Sequence, residues 1–143
     1  MVSCAGRWTV RTGSERRIYM RYVDGFLIVV PRSKLDEYRT MAEEGREIWM
    51  KHGALDYKEC VGDDLNPKMG EMEALPFPTL TGLAADEALI FSFIVYSSRQ
   101  HRDEVNAKVM SDPAMSPEKM KEKPMPFEMK RFSYGGFEVL VDV

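Results

Sequence analysis

The amino-acid sequence predicts an α+β fold in which two helices pack on a four-stranded antiparallel sheet. Three observations lead to this prediction: two segments are apolar on both faces when read as strands, one segment carries a helical apolar stripe, and strand-like and helix-like segments follow one another in a recognisable order. The chain has 143 residues, of which 44% are hydrophobic and 30% charged. A chain of this size and composition can form one domain with its own core.

Residues 1–20 are predicted to be a loose N-terminal arm that precedes a domain at residues 21–143. The arm mixes Gly, Ser, Thr and Arg without a sustained period, and such segments concentrate at chain termini. Met20 is also a candidate start codon, in which case the upstream residues would be a misplaced gene boundary. Both interpretations leave the predicted domain unchanged.

Two segments, Tyr22–Val30 and Ala88–Tyr96, are predicted to be the central strands of the sheet. Successive side chains of a strand point to opposite faces. In both segments each face is largely apolar, so both strands are expected at inner positions that are covered on both sides. Pro31 ends the first of these strands.

The first helix is predicted to begin at a capping-box-like pair, Ser33 and Asp36, and to end before Gly53. A glycine is the preferred residue just after the last helical turn. Spacings of three and four place a set of mainly apolar residues on one face of this helix. These residues are Leu35, Tyr38, Ala42, Gly45, Trp49 and His52.

Three further regular elements complete the prediction. Leu55–Val61 alternates with a more polar pattern and is predicted to be an edge strand. Ser98 is placed to cap a second helix that reaches Met110, before Asp112-Pro113. Arg131–Val143 is predicted to be the last strand, and its Gly135-Gly136 pair indicates a bulge or a close backbone approach.

Two long connections lie between these elements. Residues 62–86 carry several prolines and are predicted to be loop, with a short extended piece near Phe77–Leu80. Residues 114–127 are rich in Met, Lys, Glu and Pro and are predicted to be an exposed excursion.

The order strand, helix, strand, strand, helix, strand is that of the ferredoxin-like βαββαβ fold, in which the first and third strands are central. Two helices cover only one side of a four-stranded sheet. The other side would expose a large apolar patch, and such patches usually mark an interface. The sequence therefore predicts a symmetric homodimer whose sheets pack face to face.

Four blocks of sequence resemble the bacterial YbaA-like family, a domain of unknown function. They are YVDGF at 22–26, HGALDYKECVGDD at 52–64, HRDEVNAKVMSDP at 101–113 and MPFEMKRFSYGGFEVLV at 125–141. The resemblance covers nearly everything after Met20 and implies a dimeric α/β barrel of the ferredoxin-like kind. It implies no established activity. Dimeric α/β barrels include cofactor-free monooxygenases, haem-degrading enzymes, small isomerases and lyases, and stress proteins, and the fold does not choose among them.

Charge and composition narrow the predicted partners and location. Residues 20–143 carry sixteen basic and twenty-two acidic residues, which disfavours binding to a phosphate backbone, so no nucleic-acid partner is predicted. No apolar stretch approaches the roughly 20 residues of a membrane-spanning helix, so no membrane partner is predicted. Two cysteines, Cys4 and Cys60, and no recognisable export signal predict reduced thiols in the cytoplasm.

The sequence predicts neither a metal site nor a cofactor. Its two histidines and two cysteines lack the spacing of metal ligands. The sequence contains no phosphate-binding loop or dinucleotide fingerprint, and Gly135-Gly136 lacks the strand–turn–helix setting that those motifs require.

The predicted function is the binding of a small apolar or aromatic metabolite in a pocket between the sheet and the helices. A cofactor-independent enzyme that acts on such a metabolite is an extension of this hypothesis, and the alternative is a non-catalytic dimeric interaction or stress-associated protein. The residues predicted to line the pocket are Phe26, Trp49, His52, His101 and Tyr134.

Three residues are candidates for acid–base chemistry, each with a structural alternative. His52 could be a general base at the pocket mouth, or a histidine that interacts favourably with the end of the helix dipole. His101 could belong to an anion site at a helix N-terminus, or to a solvated helix start. Asp24, on an otherwise apolar strand face, could have a raised pKa, or could pair with an arginine such as Arg131.

Overall fold

The sheet contains four antiparallel strands. The computed structural model describes residues 20–143, so the predicted N-terminal arm, apart from Met20, lies outside the described residues. The strands are β1 (Tyr22–Pro31), β2 (Asp56–Val61), β3 (Glu87–Tyr96) and β4 (Phe132–Glu138), and their spatial order is β2-β3-β1-β4. The α+β class and the inner positions of β1 and β3 are confirmed.

Four α-helices accompany the sheet within residues 20–143: α1 (Leu35–Lys51), α2 (Phe77–Thr81), α3 (Arg99–Met110) and α4 (Pro117–Lys121). All of these helices are too short or too polar to span a lipid bilayer.

The two long helices begin differently. The chain leaves β1 through a 3₁₀ turn at Arg32–Lys34, so the N-cap of α1 is Lys34, which makes no side-chain capping bond. The predicted capping box at Ser33 is therefore wrong. The N-cap of α3 is Ser98 as predicted, and its hydroxyl oxygen accepts the His101 N–H at 3.0 Å. Gly53 follows α1 with φ +110°, a conformation that favours glycine.

The segment that was predicted to be extended near Phe77–Leu80 is the short helix α2 instead. Pro78 lies in the first turn, where its fixed φ angle suits a helix and its missing N–H removes no bond. Gly82, with φ +64°, ends the helix. Local proline chemistry therefore outweighs the extended interpretation of this segment.

The last strand is shorter than predicted, because β4 ends at Glu138. Glu138 pairs with Tyr22, the first residue of β1, so later residues find little partner backbone. The register between β1 and β4 continues through Gly135-Gly136 without a bulge. A Cβ atom at Gly136 would collide with the Tyr22 ring. Of the two alternatives for this glycine pair, the close approach is the one observed.

The two faces of the sheet differ in what covers them. One face, which we call the covered face, packs against α1 and α3. The sheet contributes Ile28, Val30, Ile90, Ile94 and Tyr96 to this core. The helices contribute Tyr38, Ala42, Ile48, Val105 and Val109. The opposite, open face carries Leu27, Phe91, Phe93, Val95 and Phe137. Phe91 and Phe137 are 47% and 60% exposed on the described chain.

Residues 113–127, which we call the strap, contain a 3₁₀ turn and α4. Much of the strap is exposed, but its C-terminal end is not, because Pro126 and Phe127 are buried. Phe127 stacks on Phe132 of β4, with ring centroids 5.5 Å apart. The prediction of an exposed excursion is therefore wrong at this end of the strap.

Candidate functional site

A cavity of about 290 Å³ lies between the covered face, α1 and the strap. Its walls are mostly apolar, with aromatic and aliphatic side chains from the sheet and methionines from α1 and the strap. The main apolar lining residues are Phe26, Ile28, Met41, Ala42, Ile48, Trp49, Ile94, Met115, Met120, Met125, Phe127 and Phe132. This central cavity is the candidate site.

One end of the central cavity is formed by a carboxylate between two phenols. The Tyr38 hydroxyl donates to Glu59 Oε2 at 2.7 Å, and the Tyr57 hydroxyl donates to Glu59 Oε1 at 2.9 Å. We call these three residues the Glu59 cluster. Burial, followed by the nearby Glu59 carboxylate, raises the pKa of both tyrosines. Both hydroxyls therefore keep their protons and remain donors to Glu59.

The local structure explains how the Glu59 cluster forms. Tyr57 and Glu59 are two residues apart on β2, so they point to the same, covered face. Tyr38 comes from the first turns of α1 and Gly45 from its middle. A Cβ atom at Gly45 would lie 2.9 Å from the Tyr57 hydroxyl oxygen. The glycine in mid-helix therefore leaves the space that this hydroxyl occupies.

An outer groove of about 510 Å³ runs along α1 and β2 and shares Tyr38, Ala42, Tyr57 and Glu59 with the central cavity. The Glu59 cluster thus borders both spaces. On the strap side, Lys123 and Glu44 line the cavity and form an ion pair of 2.6 Å. The cavity therefore has a polar contact between the strap and α1 as well as the polar Glu59 cluster.

A second polar cluster on the covered face surrounds Asp24. Its carboxylate accepts a hydrogen bond of 2.9 Å from the Arg102 guanidinium, which also lies 4.9 Å from the centre of the Tyr22 ring. Burial raises the pKa of Asp24, and the positive charge of Arg102 partly offsets this rise. The partner of Asp24 is therefore Arg102. Arg131, the example suggested by the sequence, pairs with Glu87 at 3.1 Å.

Asn106 connects the Asp24 region to the central cavity. Its side-chain oxygen accepts hydrogen bonds from Trp49 Nε1 at 3.1 Å and from the Tyr96 hydroxyl at 3.3 Å. Trp49 lines the cavity, while Tyr96 is fully buried on β3. The indole of Trp49 is thus fixed by α3 as well as by its own helix.

His52 lies at the C-terminal end of α1 and not among the cavity-lining residues. Its Nε2 is 2.7 Å from Asp112 Oδ2, and Lys51 Nζ is 3.1 Å from the same oxygen. The Ala114 N–H, followed by His52 and Lys51, holds the pKa of Asp112 well below its usual range. The carboxylate partner of His52 is thus Asp112, the residue that immediately precedes the strap.

His101 and Tyr134 also lie outside the cavity lining. His101 Nδ1 accepts the Ser97 N–H at 3.0 Å, and the imidazole ring meets Tyr96 edge-on. Tyr134 is 71% exposed and stacks on Phe26, with ring centroids 5.9 Å apart. Of the five predicted lining residues, Phe26 and Trp49 contact the central cavity.

Residues 20–143 contain no group of three or more His, Cys, Asp or Glu side chains that could hold a metal ion. The polar side chains that line the cavity are those of the Glu59 cluster, the Lys123–Glu44 pair and Ser92.

Comparison with known proteins places the chain in a family. Residues 21–129 match the family model described as "Protein of unknown function (DUF1428)". The chain belongs to this family. It is 39% identical over 125 residues to the uncharacterized protein YbaA of Escherichia coli strain K12. The aligned region covers 86% of this chain and 99% of YbaA. YbaA of Escherichia coli O157:H7 and of Shigella flexneri give the same identity and coverage. The resemblance to the YbaA-like family is confirmed.

Sequence reasoning missed the Glu59 cluster, although one signal was present. On β2, Tyr57 and Glu59 occupy positions whose partners on β3 are Ile94 and Ser92. A carboxylate that faces a core side of a sheet needs a donor or a counter-charge. The predicted edge position of β2 explains its polar residues on the open face, whereas Glu59 points to the covered face.

Proposed function

We propose that this DUF1428 protein binds a small apolar or aromatic molecule in the central cavity. The observation that carries the proposal is a cavity of about 290 Å³ with apolar walls and a hydrogen-bonded carboxylate at one end. Ligand sites typically combine apolar walls with a few placed polar groups. An engineered apolar cavity of about 150 Å³ holds benzene, so this volume suits a bicyclic or substituted aromatic ring.

Catalysis without a cofactor would use the same cavity. A carboxylate within reach of a bound molecule can accept and return a proton. Glu59 is the group placed for this role, with Tyr38 and Tyr57 fixing its orientation. The proposal therefore assigns acid–base chemistry to Glu59 rather than to His52, His101 or Asp24, which do not line the cavity.

The test compares ligand binding by the wild-type protein with binding by a variant whose cavity is filled by a larger side chain. Native mass spectrometry of the purified protein would detect co-purified small molecules, and titration calorimetry with indole would supply a defined probe. Ala42→Phe fills the cavity, whereas Ala107→Phe adds the same ring on the exposed side of α3. We expect Ala42→Phe to abolish indole binding and Ala107→Phe to retain it. Equal binding by both folded variants would refute the cavity as the site.

We also propose the finer description of the fold, a ferredoxin-like domain that forms a homodimer through the open face. The strand order and the helices on one face support the ferredoxin-like description. The exposed Phe91 and Phe137, beside the partly buried Leu27 and Phe93, support the interface. A second copy of the same face would cover these side chains symmetrically.

Light scattering after size exclusion tests the dimer, since one chain has a mass of 16.4 kDa. Phe91→Glu should convert a dimer to a monomer, while Met50→Glu, on the exposed side of α1, should not. A wild-type monomer would contradict the interface. A dimer that binds no small molecule would favour the alternative function, a non-catalytic interaction protein. The cytoplasmic location and the absence of a nucleic-acid partner stay predictions.

A further inference from the structure

We infer that the ligand of the central cavity is an organic cation, an amine attached to an apolar or aromatic body. This inference rests on the proposed function and specifies its ligand class. It follows from the hydrogen-bonding capacity and the charge of the groups at the Glu59 end of the cavity.

The three residues of the Glu59 cluster present only acceptors to a ligand, while Ser92, opposite Glu59 on β3, has a hydroxyl that can donate or accept. Tyr38 and Tyr57 each have one O–H, and both donate it to Glu59. Their oxygens therefore present only lone pairs to anything else. The Glu59 carboxylate has about four lone-pair sites, of which the two tyrosines occupy two. A ligand head group can satisfy these acceptors only if it donates hydrogen bonds.

The charges of the residues that line the cavity also favour a cationic ligand. Among the described lining residues, Lys123 is the one cation, and it pairs with Glu44 at 2.6 Å. None of the ion pairs within residues 20–143 involves Glu59. Arg39 and Arg46 line the outer groove and not the central cavity. Glu59 therefore forms no ion pair within residues 20–143, and the two arginines near the cluster lie on its outer-groove side.

Aromatic rings surround the same end of the cavity. Tyr38, Tyr57 and Trp49 all line it, and the rings of Trp49 and Tyr57 are 6.5 Å apart. Aromatic rings attract ammonium groups, and aromatic cages are a recurrent way to bind them. The adjacent apolar walls suit a hydrocarbon or aromatic body. An anionic ligand would instead meet a like charge and a set of acceptors.

Three probes of similar size separate these possibilities: 2-phenylethylamine, 2-phenylethanol and 3-phenylpropionate. Titration calorimetry on the full chain at neutral pH should show the amine binding about tenfold more tightly than the alcohol, as a charge-assisted bond replaces a neutral one. The carboxylate should not bind measurably. The order of the three probes on the wild-type protein tests the inference without any variant.

A pair of variants identifies the residue responsible. Glu59→Gln removes the charge and turns one acceptor into a donor, so it should lower amine affinity about tenfold and leave alcohol affinity nearly unchanged. Glu47→Gln removes an exposed carboxylate of α1 that lines neither the central cavity nor the outer groove, and it should preserve the amine preference. Loss of the preference in both variants would indicate general electrostatics and overturn the role of Glu59.

The outcomes also separate this inference from the proposed function. If the alcohol binds as tightly as the amine and Ala42→Phe blocks both, the cavity is a ligand site and the cation inference fails. Tighter binding of 3-phenylpropionate than of the amine would overturn it as well. If none of the three probes binds, the inference fails, and an absence of indole binding would then refute the proposed function too.

Discussion

Asp24 and Glu59 are two carboxylates on the same face of one sheet, and they differ in the groups that donate hydrogen bonds to them. Asp24 receives a guanidinium at 2.9 Å from Arg102. Glu59 receives two phenol hydroxyls, at 2.7 and 2.9 Å, and no cation from the described residues. Asp24 is buried and forms an ion pair, whereas Glu59 is partly exposed and forms no ion pair within residues 20–143. The comparison shows that the candidate site keeps a carboxylate that the described residues hold with neutral donors alone.

The largest expected effect comes from removing the cation that pairs with Asp24. Arg102→Met leaves Asp24 buried without its cation, and losing one member of a buried ion pair typically costs about 3–5 kcal/mol. Urea denaturation should show a fall of this size in the free energy of unfolding. Arg102 also contacts the exposed Asp103 at 2.8 Å, so Asp103→Ala is the matched control, with an expected loss of about 0.5 kcal/mol.

If Arg102→Met prevents folding, the double variant Asp24→Leu, Arg102→Met removes the unpaired charge and should restore a folded protein. Equal stability of Arg102→Met and Asp103→Ala would show that Asp24 is not held as a buried pair, and the contrast with Glu59 would disappear.

A smaller effect is expected at the Glu59 cluster, where Gly45 and Tyr57 should be energetically coupled. Gly→Ala in a helix normally stabilises by about 1 kcal/mol, but here the new Cβ would lie 2.9 Å from the Tyr57 hydroxyl. Gly45→Ala should therefore bring no gain in the wild-type background. In a Tyr57→Phe background, where the hydroxyl is absent, the gain of about 1 kcal/mol should return.

A double-mutant cycle by urea denaturation measures this coupling. Gly45→Ala that stabilises both backgrounds equally would show that the glycine does not make room for the hydroxyl. The local explanation of the Glu59 cluster would then need revision.

The smallest effect is expected in the pH dependence of the free energy of unfolding. Asp24 and Asp112 should change this free energy in opposite directions as pH rises. Burial raises the folded-state pKa of Asp24 above its ordinary 3.8, so the folded state binds more protons and stability falls as pH rises through this range. Asp112 has the opposite shift, below 3.8. Its contribution is present above that value and is lost as pH falls towards the folded-state pKa.

Unfolding of Asp24→Asn and Asp112→Asn should be compared with wild type from about pH 3 to pH 7. As pH rises, wild type should lose stability relative to Asp24→Asn and gain it relative to Asp112→Asn. Slopes of the same sign for the two variants would mean that one of the two carboxylates is not in the environment described.

The sheet could be predicted because its signals are local. The apolar pattern on both faces of β1 and β3 involves only residues within one strand. The capping bond of α3 joins Ser98 to the N–H of His101, three residues later. Gly53 likewise ends α1 through its own backbone angle. Each of these features depends on neighbours in sequence, which alternation and spacing describe well.

The candidate site could not be predicted to the same extent because its contacts are distant in sequence. Asp24 and Arg102 are 78 residues apart, and Tyr38 and Glu59 are 21 apart. Their meeting depends on how α1 and α3 cross the sheet, which no local period determines. Phe127 belongs to a segment whose Met, Lys, Glu and Pro content predicts an exposed excursion, yet it packs on Phe132.

The strap has a consequence for the rate of ligand exchange. It closes one side of the cavity with a 3₁₀ turn of three residues and a helix of five, and Lys123 joins it to Glu44 of α1 through a partly exposed ion pair. Short elements with few buried contacts open more often than the strands of a sheet. We therefore expect the residence time of a bound molecule to depend on the opening frequency of the strap, while the chemistry at Glu59 determines which molecule stays.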